Sequence, residues 1–328
     1  MKNYKLGVGP MSREIIGCIS EYGDRNNLMV VASRNQVDYN SGYVCTSTEL
    51  AELILNPATL ICRDHCGPYF SDSDKGLSVS DAMDECKKTI EQDISAGFDL
   101  IHIDVSRIPD KQLIYAKELI EFTLHLSPNI MLEFGSENNT GTDLAPSMAR
   151  IDEQLDFIGQ YKDNIVFFVT QTGSFTQHTQ VGSFDIDFTK LLAKKIHDAG
   201  FLFKEHNADY LTHSDVKLRG PGGVDALNIA PQLGTIQTKI LKELSNNSIA
   251  WQDFAKIVYN SNLWTKWIPK NINDPALAVI VAGHYMFNTP QYKQLMSTID
   301  KELFMVQLKK ELFKTLDVYT GGNNDTAH

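Results

Sequence analysis

A chain of 328 residues that is 42% hydrophobic and 9% aromatic has ample material for a large core, and its formal net charge of −11 disfavours a nucleic-acid backbone or an anionic membrane surface as partner. Five cysteines, Cys18, Cys45, Cys62, Cys66 and Cys86, are odd in number and follow no framework spacing, which argues against a disulfide scaffold. No basic-then-apolar leader opens the sequence and no apolar run approaches the ~18 residues of a membrane span, so a cytoplasmic enzyme is expected.

Taken in order, strands are predicted at 4–9, 28–33, 60–64, 100–105, 130–134, 165–170, 201–205 and 226–230, separated by helical patterns. That alternation marks repeated βα units and a parallel sheet. Eight units with these helix and loop lengths predict a closed (β/α)8 TIM barrel rather than an open sheet. Among the helices, 46–55 opens on Thr46 with Glu49 three residues later, a capping-box pattern. Segment 80–96 has Ser80 as its expected N-cap and stops before Gly97, while 187–199 is stopped by Gly200. Segment 110–126 places Leu113, Ala116, Ile120 and Leu124 on one face.

The run Arg219-Gly220-Pro221-Gly222-Gly223 is expected to lie outside any regular helix. It reads as a loop crossing the barrel bottom, with an anion-cradling role for its backbone amides as the functional alternative. An eighth helix runs beyond Gly234 to about Asn246. The remainder is helical in pattern and carries Trp251, Phe254, Tyr259, Trp264, Trp267, Tyr285 and Phe287. The expected organisation is therefore a barrel over 1–246 carrying the active site, and a helical C-terminal extension over 247–328 packed on the barrel or on a partner subunit.

In such a barrel catalytic groups sit at the C-terminal ends of the strands, and the predicted ends collect polar residues that a packed core would not want. They are Arg34-Asn35-Gln36, Asp64-His65, His102 with Asp104, Glu133 and Glu137, Gln171, Glu205-His206 with Asp209, and Asn228. His102 and Asp104 are two apart and point to the same side of their strand. His65, Glu137 and His206 come from different strands and could converge on one divalent metal, since two imidazoles and a carboxylate with an open position make a standard catalytic zinc arrangement. The competing reading of each histidine is a hydrogen bond to a neighbouring helix. Cys62 and Cys66 flank Asp64-His65, but buried cysteine is more commonly small apolar filler than a ligand.

The runs Ser33-Arg34-Asn35-Gln36-Val37 with Gly42-Tyr43, Asp64-His65-Cys66-Gly67-Pro68, Ile101-His102-Ile103-Asp104-Val105-Ser106, Gly135-Ser136-Glu137, Val169-Thr170-Gln171-Thr172-Gly173 and His206-Asn207-Ala208-Asp209-Tyr210 fall in one order across 1–245. In these runs the chain resembles the tagatose-bisphosphate aldolase Z-type subunit family, which belongs with the class II aldolase barrels. The resemblance implies a zinc-dependent lyase that makes or breaks a carbon–carbon bond in a ketose phosphate. It implies His65, His206 and Glu137 as ligands, Asp64 as the acid/base with Glu137 and Asp104 beside it, and Asp104 orienting a ligand or the substrate. Substrate contacts are expected from Asn35, Gln36, His102, Gln171 and Asp209, with Arg219, Gly222 and Gly223 as further candidates. Glu205 or Asp209 is expected to orient the ligating histidines.

Three departures mark a divergent member: Cys66 in place of an aliphatic residue, the extra charge of Arg34, and 219–223 in place of a helix. Two other functions stay open, epimerisation of a ketose or its phosphate at C4, and a non-catalytic subunit that stabilises a separate aldolase chain. Polar groups converging at one mouth argue against the second, because a purely structural subunit has no physical need for them. The aromatic extension makes a homo-oligomer the expected assembly, and a small sugar or sugar phosphate the expected ligand.

Overall fold

The computed structural model describes residues 6–23, 28–108, 110–135, 148–170, 184–206, 208–268 and 274–321. Strands β1 (Leu6–Val8), β2 (Leu28–Ser33), β3 (Leu60–Cys66), β4 (Leu100–Ile103), β5 (Met131–Phe134), β6 (Ile165–Thr170), β7 (Leu202–Glu205) and β8 (Ala226–Ile229) pair in parallel, each with the next, and β8 returns to β1. The result is the expected TIM barrel. A two-residue parallel pair, Val37–Asp38 with Cys45–Thr46, sits in the loop after β2.

Strand alternation divides the apolar residues between two cores. Met29, Val31, Leu60, Cys62, Leu100, Phe167, Val169 and Ala226 cluster together inside the barrel. The alternate positions, among them Val30, Ile61, Ile101, Phe134, Phe168, Phe203 and Leu227, join the larger core shared with the helices. All five cysteines are buried and free, so Cys62 fills the interior and Cys66 the outer core.

The barrel helices are α1 (Arg13–Gly23), α2 (Ser47–Leu53), α3 (Val79–Ala96), α4 (Gln112–Leu126), α5 (Met148–Ile158), α6 (Ile186–Asp198), α7 (His213–Gly222) and α8 (Pro231–Ser245). The Thr46–Glu49 capping box forms in both directions. Helix α3 starts earlier than expected, because Ser78 rather than Ser80 accepts the free N–H of Asp81. The larger correction is α7, which runs through Arg219, Gly220, Pro221 and Gly222. Proline removes one donor in the final turn only, and Gly223, at φ 85°, ends the helix by donating to the carbonyls of Arg219 and Gly220.

Beyond the barrel lie α9 (Ile249–Asn260), α10 (Pro275–Ala282), α11 (Pro290–Thr298) and α12 (Lys301–Thr320). In α12, Phe304, Leu308, Leu312 and Leu316 recur every fourth residue and are buried against α8, α1 and α7. Near its end the Tyr319 hydroxyl donates to the Ala208 carbonyl at 2.8 Å and accepts the Leu211 N–H at 3.1 Å. The last helix thereby holds the loop that follows β7. Among the described residues no helix is long and apolar enough to cross a membrane.

Candidate active site

Asp64 and His65 are consecutive, and in a regular strand their side chains would point to opposite faces. The register between β3 and β4 slips between Arg63 and Cys66, and His65 takes φ 46°, a left-handed backbone that is costly for a non-glycine residue. This bulge lets both side chains reach the mouth of the barrel. Gly67 follows for a steric reason, since a Cβ there would lie 1.5 Å from the Asp104 carbonyl oxygen. His65 Nδ1 lies 2.7 Å from Asp104 Oδ2, and the other oxygen of Asp104 accepts the Ser106 N–H at 2.9 Å. Asp104 therefore draws the proton to Nδ1 and leaves the Nε2 lone pair facing inward, 3.8 Å from Asp64 Oδ2.

Two more imidazoles complete the cluster. His102, on β4, brings Nδ1 to 3.3 Å from Asp64 Oδ1, and His206, just past β7, brings Nε2 to 3.5 Å from the same oxygen. Ring centroids lie 5.3 Å apart for His65 and His102, 4.9 Å for His65 and His206, and 5.4 Å for His102 and His206. Burial alone would raise the Asp64 carboxyl, but His65 first, then His206 and His102, outweigh it and hold the group well below the usual carboxylate range. Asp104 is lowered in the same way, its burial overcome by the hydrogen bond from His65.

The donor set fits a divalent cation. Ligand atoms of Asp64, His65 and His102 lie within 4.8 Å of one another. The three nitrogens sit 3.3, 3.5 and 3.8 Å from the carboxylate oxygens, too far for good hydrogen bonds and suited to lone pairs that share one ion. His102 Nε2 is buried with no hydrogen-bond partner among the described residues, so the ring is not there simply to satisfy the surrounding fold.

Of the residues named from sequence, His65, His206, Asp64, Asp104 and His102 meet here. Glu137 and Gln171 lie outside the described residues. Asn35 works structurally, donating to the Phe70 carbonyl and accepting the Asp72 N–H. Gln36 is buried and accepts from the backbone and hydroxyl of Ser33. Asp209 accepts the N–H groups of Ala230 and Gln232 at the start of α8, and Arg219 pairs with Glu205 at 3.2 Å beneath the ring of Phe184. Asp104 therefore performs for His65 the orienting role expected of Glu205 or Asp209. Gly222 and Gly223 end α7 just before β8 begins, at the opposite end of the barrel from the cluster.

Sequence reasoning placed His102 on the substrate rather than in the ring of imidazoles, although its parity with Asp104 was the available signal. It also missed Phe70, whose ring stacks on His65 at 4.8 Å with Arg107 over its other side at 4.2 Å. The unexpected charge of Arg34 has a structural use. Its guanidinium is fully buried, donates to both oxygens of Asp74 at 2.7 and 3.1 Å, and so fastens the loop after β3. The same loop, with Asn35, Tyr43, Lys266 and Tyr285, lines a cavity of about 440 Å³.

No protein-family model matches the chain, and no curated protein matches it. Solved structures do. A chain from Sinorhizobium meliloti 1021, described as a probable tagatose 6 phosphate kinase, is 16% identical and superposes with a TM-score of 0.77 over 97% of this chain and 99% of that one. The fructose-bisphosphate aldolase of Campylobacter jejuni is 13% identical, with a TM-score of 0.58 over 98% of this chain and 91% of that one. The fructuronate-tagaturonate epimerase of Cohnella laeviribosi is 11% identical, with a TM-score of 0.61 over 97% of this chain and 81% of that one. At these identities the likeness establishes the barrel fold.

Proposed function

We propose that the protein is a metal-dependent aldolase of the class II type, a lyase acting on a ketose phosphate. The observation that carries this reading is the ionised Asp64 carboxylate set among His65, His102 and His206 at the barrel mouth. The three imidazoles would hold the metal, zinc being the best match to a nitrogen-rich set. When bound, the metal would polarise the ketone carbonyl. Asp64 would take the proton from the hydroxyl on the far carbon of the breaking bond and return it in the reverse direction. Asp104 keeps His65 in the ligating tautomer.

Two solved relatives of the fold carry names that concern hexose phosphates, fructose bisphosphate and tagatose 6 phosphate, which supports that substrate class. A second reading is C4 epimerisation, in which the same bond is broken and the aldehyde re-added on its other face. The likeness over 97% of this chain to a fructuronate-tagaturonate epimerase favours it. A non-catalytic subunit has the least support, because a half-buried carboxylate among three imidazoles has no evident structural use.

The test is metal analysis of the purified protein, coupled to mass spectrometry of reactions with ketose mono- and bisphosphates, with and without ATP. Bound divalent metal and fragments of lower mass are expected. Equal-mass isomers would replace the aldolase by the epimerase, ATP-dependent mass gain would point to a kinase, and absence of both metal and turnover would defeat the proposal. His206→Ala is expected to lose metal and activity together, and Asp64→Asn to keep metal while turnover falls by roughly 100-fold or more.

A further inference from the structure

Arg107 lies just past β4, at the mouth end of the barrel, and its side chain is exposed. Aromatic contacts fix where it stands. The ring of Phe70 stacks on His65 with 4.8 Å between centroids and 3° between planes, and the guanidinium carbon of Arg107 is 4.2 Å from the centre of the Phe70 ring. One flat ring therefore separates a cation from an imidazole of the cluster. Stacking of this kind orients a guanidinium while leaving its N–H groups in the plane free to bind.

Among the described residues Arg107 makes one hydrogen bond, from Nη1 to the Tyr69 carbonyl at 2.6 Å, and has no carboxylate at ion-pair distance. The acids that surround it, Asp104, Asp72 and Asp74, are already engaged. Asp104 serves His65 and the Ser106 N–H, Asp74 serves Arg34 and the Tyr69 N–H, and Asp72 pairs with Lys75 at 2.8 Å. Arg13, Arg34, Arg63 and Arg219, by contrast, are each paired with an acid of the fold. Fastening one carbonyl needs a single donor, whereas a guanidinium offers five in a planar fork that matches two oxygens of a phosphate or a carboxylate.

We infer that Arg107 takes the anionic end of the substrate: its unused N–H groups bind two oxygens of a phosphate monoester, or of a carboxylate in the same place, while the carbonyl end of the sugar lies at the imidazole cluster. Phe70 sets the spacing between the two ends. The inference rests on the reading of the cluster as the place where the sugar reacts, and it adds a residue that selects charged sugars over uncharged ones.

NMR titration of the full chain with fructose 6-phosphate, fructuronate and uncharged fructose tests this in wild type, Arg107→Met, Arg107→Lys, Lys266→Met and His206→Ala. In wild type a charged sugar is expected to bind about 10-fold or more tighter than fructose, and which of the two does so tells phosphate from carboxylate. Arg107→Met is expected to remove that advantage, a loss of roughly 10- to 100-fold for the charged sugar with fructose unchanged. Arg107→Lys restores a point charge without the fork and is expected to recover part of it. Lys266, which lines the cavity beside the loop after β3, also has no ion pair among the described residues, and Lys266→Met is expected to leave the preference intact. Equal losses for charged and uncharged sugars in Arg107→Met would show that the arginine only fastens the Tyr69 carbonyl, and would overturn the inference. So would a wild type indifferent to charge, or a preference that depends on Lys266, which would put the anion in the cavity. A preference kept in Arg107→Met but lost in His206→Ala would give the anion to the metal, overturning the inference and leaving the metal reading in place. An Arg107-dependent preference in a protein that binds no metal would uphold the subsite and sink the metal reading instead.

Discussion

Asp64 and Asp209 are both carboxylates withdrawn from water near the barrel mouth, yet their environments push them in opposite directions. Around Asp64 the imidazoles outweigh burial. Asp209 is 2% exposed and accepts backbone N–H groups, among them those of Ala230 and Gln232, but burial dominates and pushes its carboxyl up to about 7. In the unfolded chain the same group titrates near 3.8. The fold therefore prefers the protonated form, and the stability it contributes is complete below about pH 4 and lost as pH rises through about 7. Asp209→Asn keeps an acceptor for both N–H groups and has no charge to bury. Its stability relative to wild type is expected to grow between about pH 4 and about pH 7 and then level off, with a ceiling of about 4 kcal/mol. Paired urea denaturation across that range measures the gap, and a gap that does not change with pH would show that Asp209 ionises as an ordinary carboxylate. Nothing local in the sequence marks such a difference, because it depends on which residues of other strands surround each group. The same holds for Arg34, which reads as an odd charge until Asp74 is seen beside it.

Strands and helices were more legible than the departures from regularity that aim the side chains. Apolar runs and glycine stops locate all eight strands, but strand alternation by itself sends Asp64 and His65 to opposite faces. The bulge that unites them leaves only the Gly67-Pro68 break as a trace. Helix α7 was hidden by its proline and glycines, which are tolerated because they fall in its last turn. The extension was legible as helices but not as a clamp. Tyr319 on α12 bridges Ala208 and Leu211, in the loop that begins at His206. Tyr319→Phe leaves that N–H and that carbonyl without their partner in a buried place and is expected to lower stability by about 1–3 kcal/mol. Chemical denaturation reads this directly, and a change below about 0.5 kcal/mol would show that the loop holds without the hydroxyl.

Barrel closure brings together residues that the chain keeps far apart, and this is why fold and site were unequally legible. Eight βα periods are a local, repeated signal, whereas His65, His102 and His206 share no spacing and meet only because β3, β4 and β7 close around one interior. Pairs such as Arg63–Asp93 and Lys204–Glu133 are equally silent in sequence, since each joins separate elements. The same geometry makes the proposed metal a cross-link among three strands that the unfolded chain cannot assemble. A ligand that binds only the folded state stabilises it by about 2.7 kcal/mol at a hundred times its Kd, which for a chain of this size corresponds to a rise in Tm on the order of 5 °C. Zinc added to chelator-treated protein is expected to produce that rise, and excess chelator to reverse it. His206→Ala should abolish the rise. Asn35→Ala should lower the starting Tm yet keep the full rise, because Asn35 ties down the loop after β3 through Phe70 and Asp72. An equal zinc response in wild type and His206→Ala would place the ion elsewhere and remove the metal from the barrel mouth.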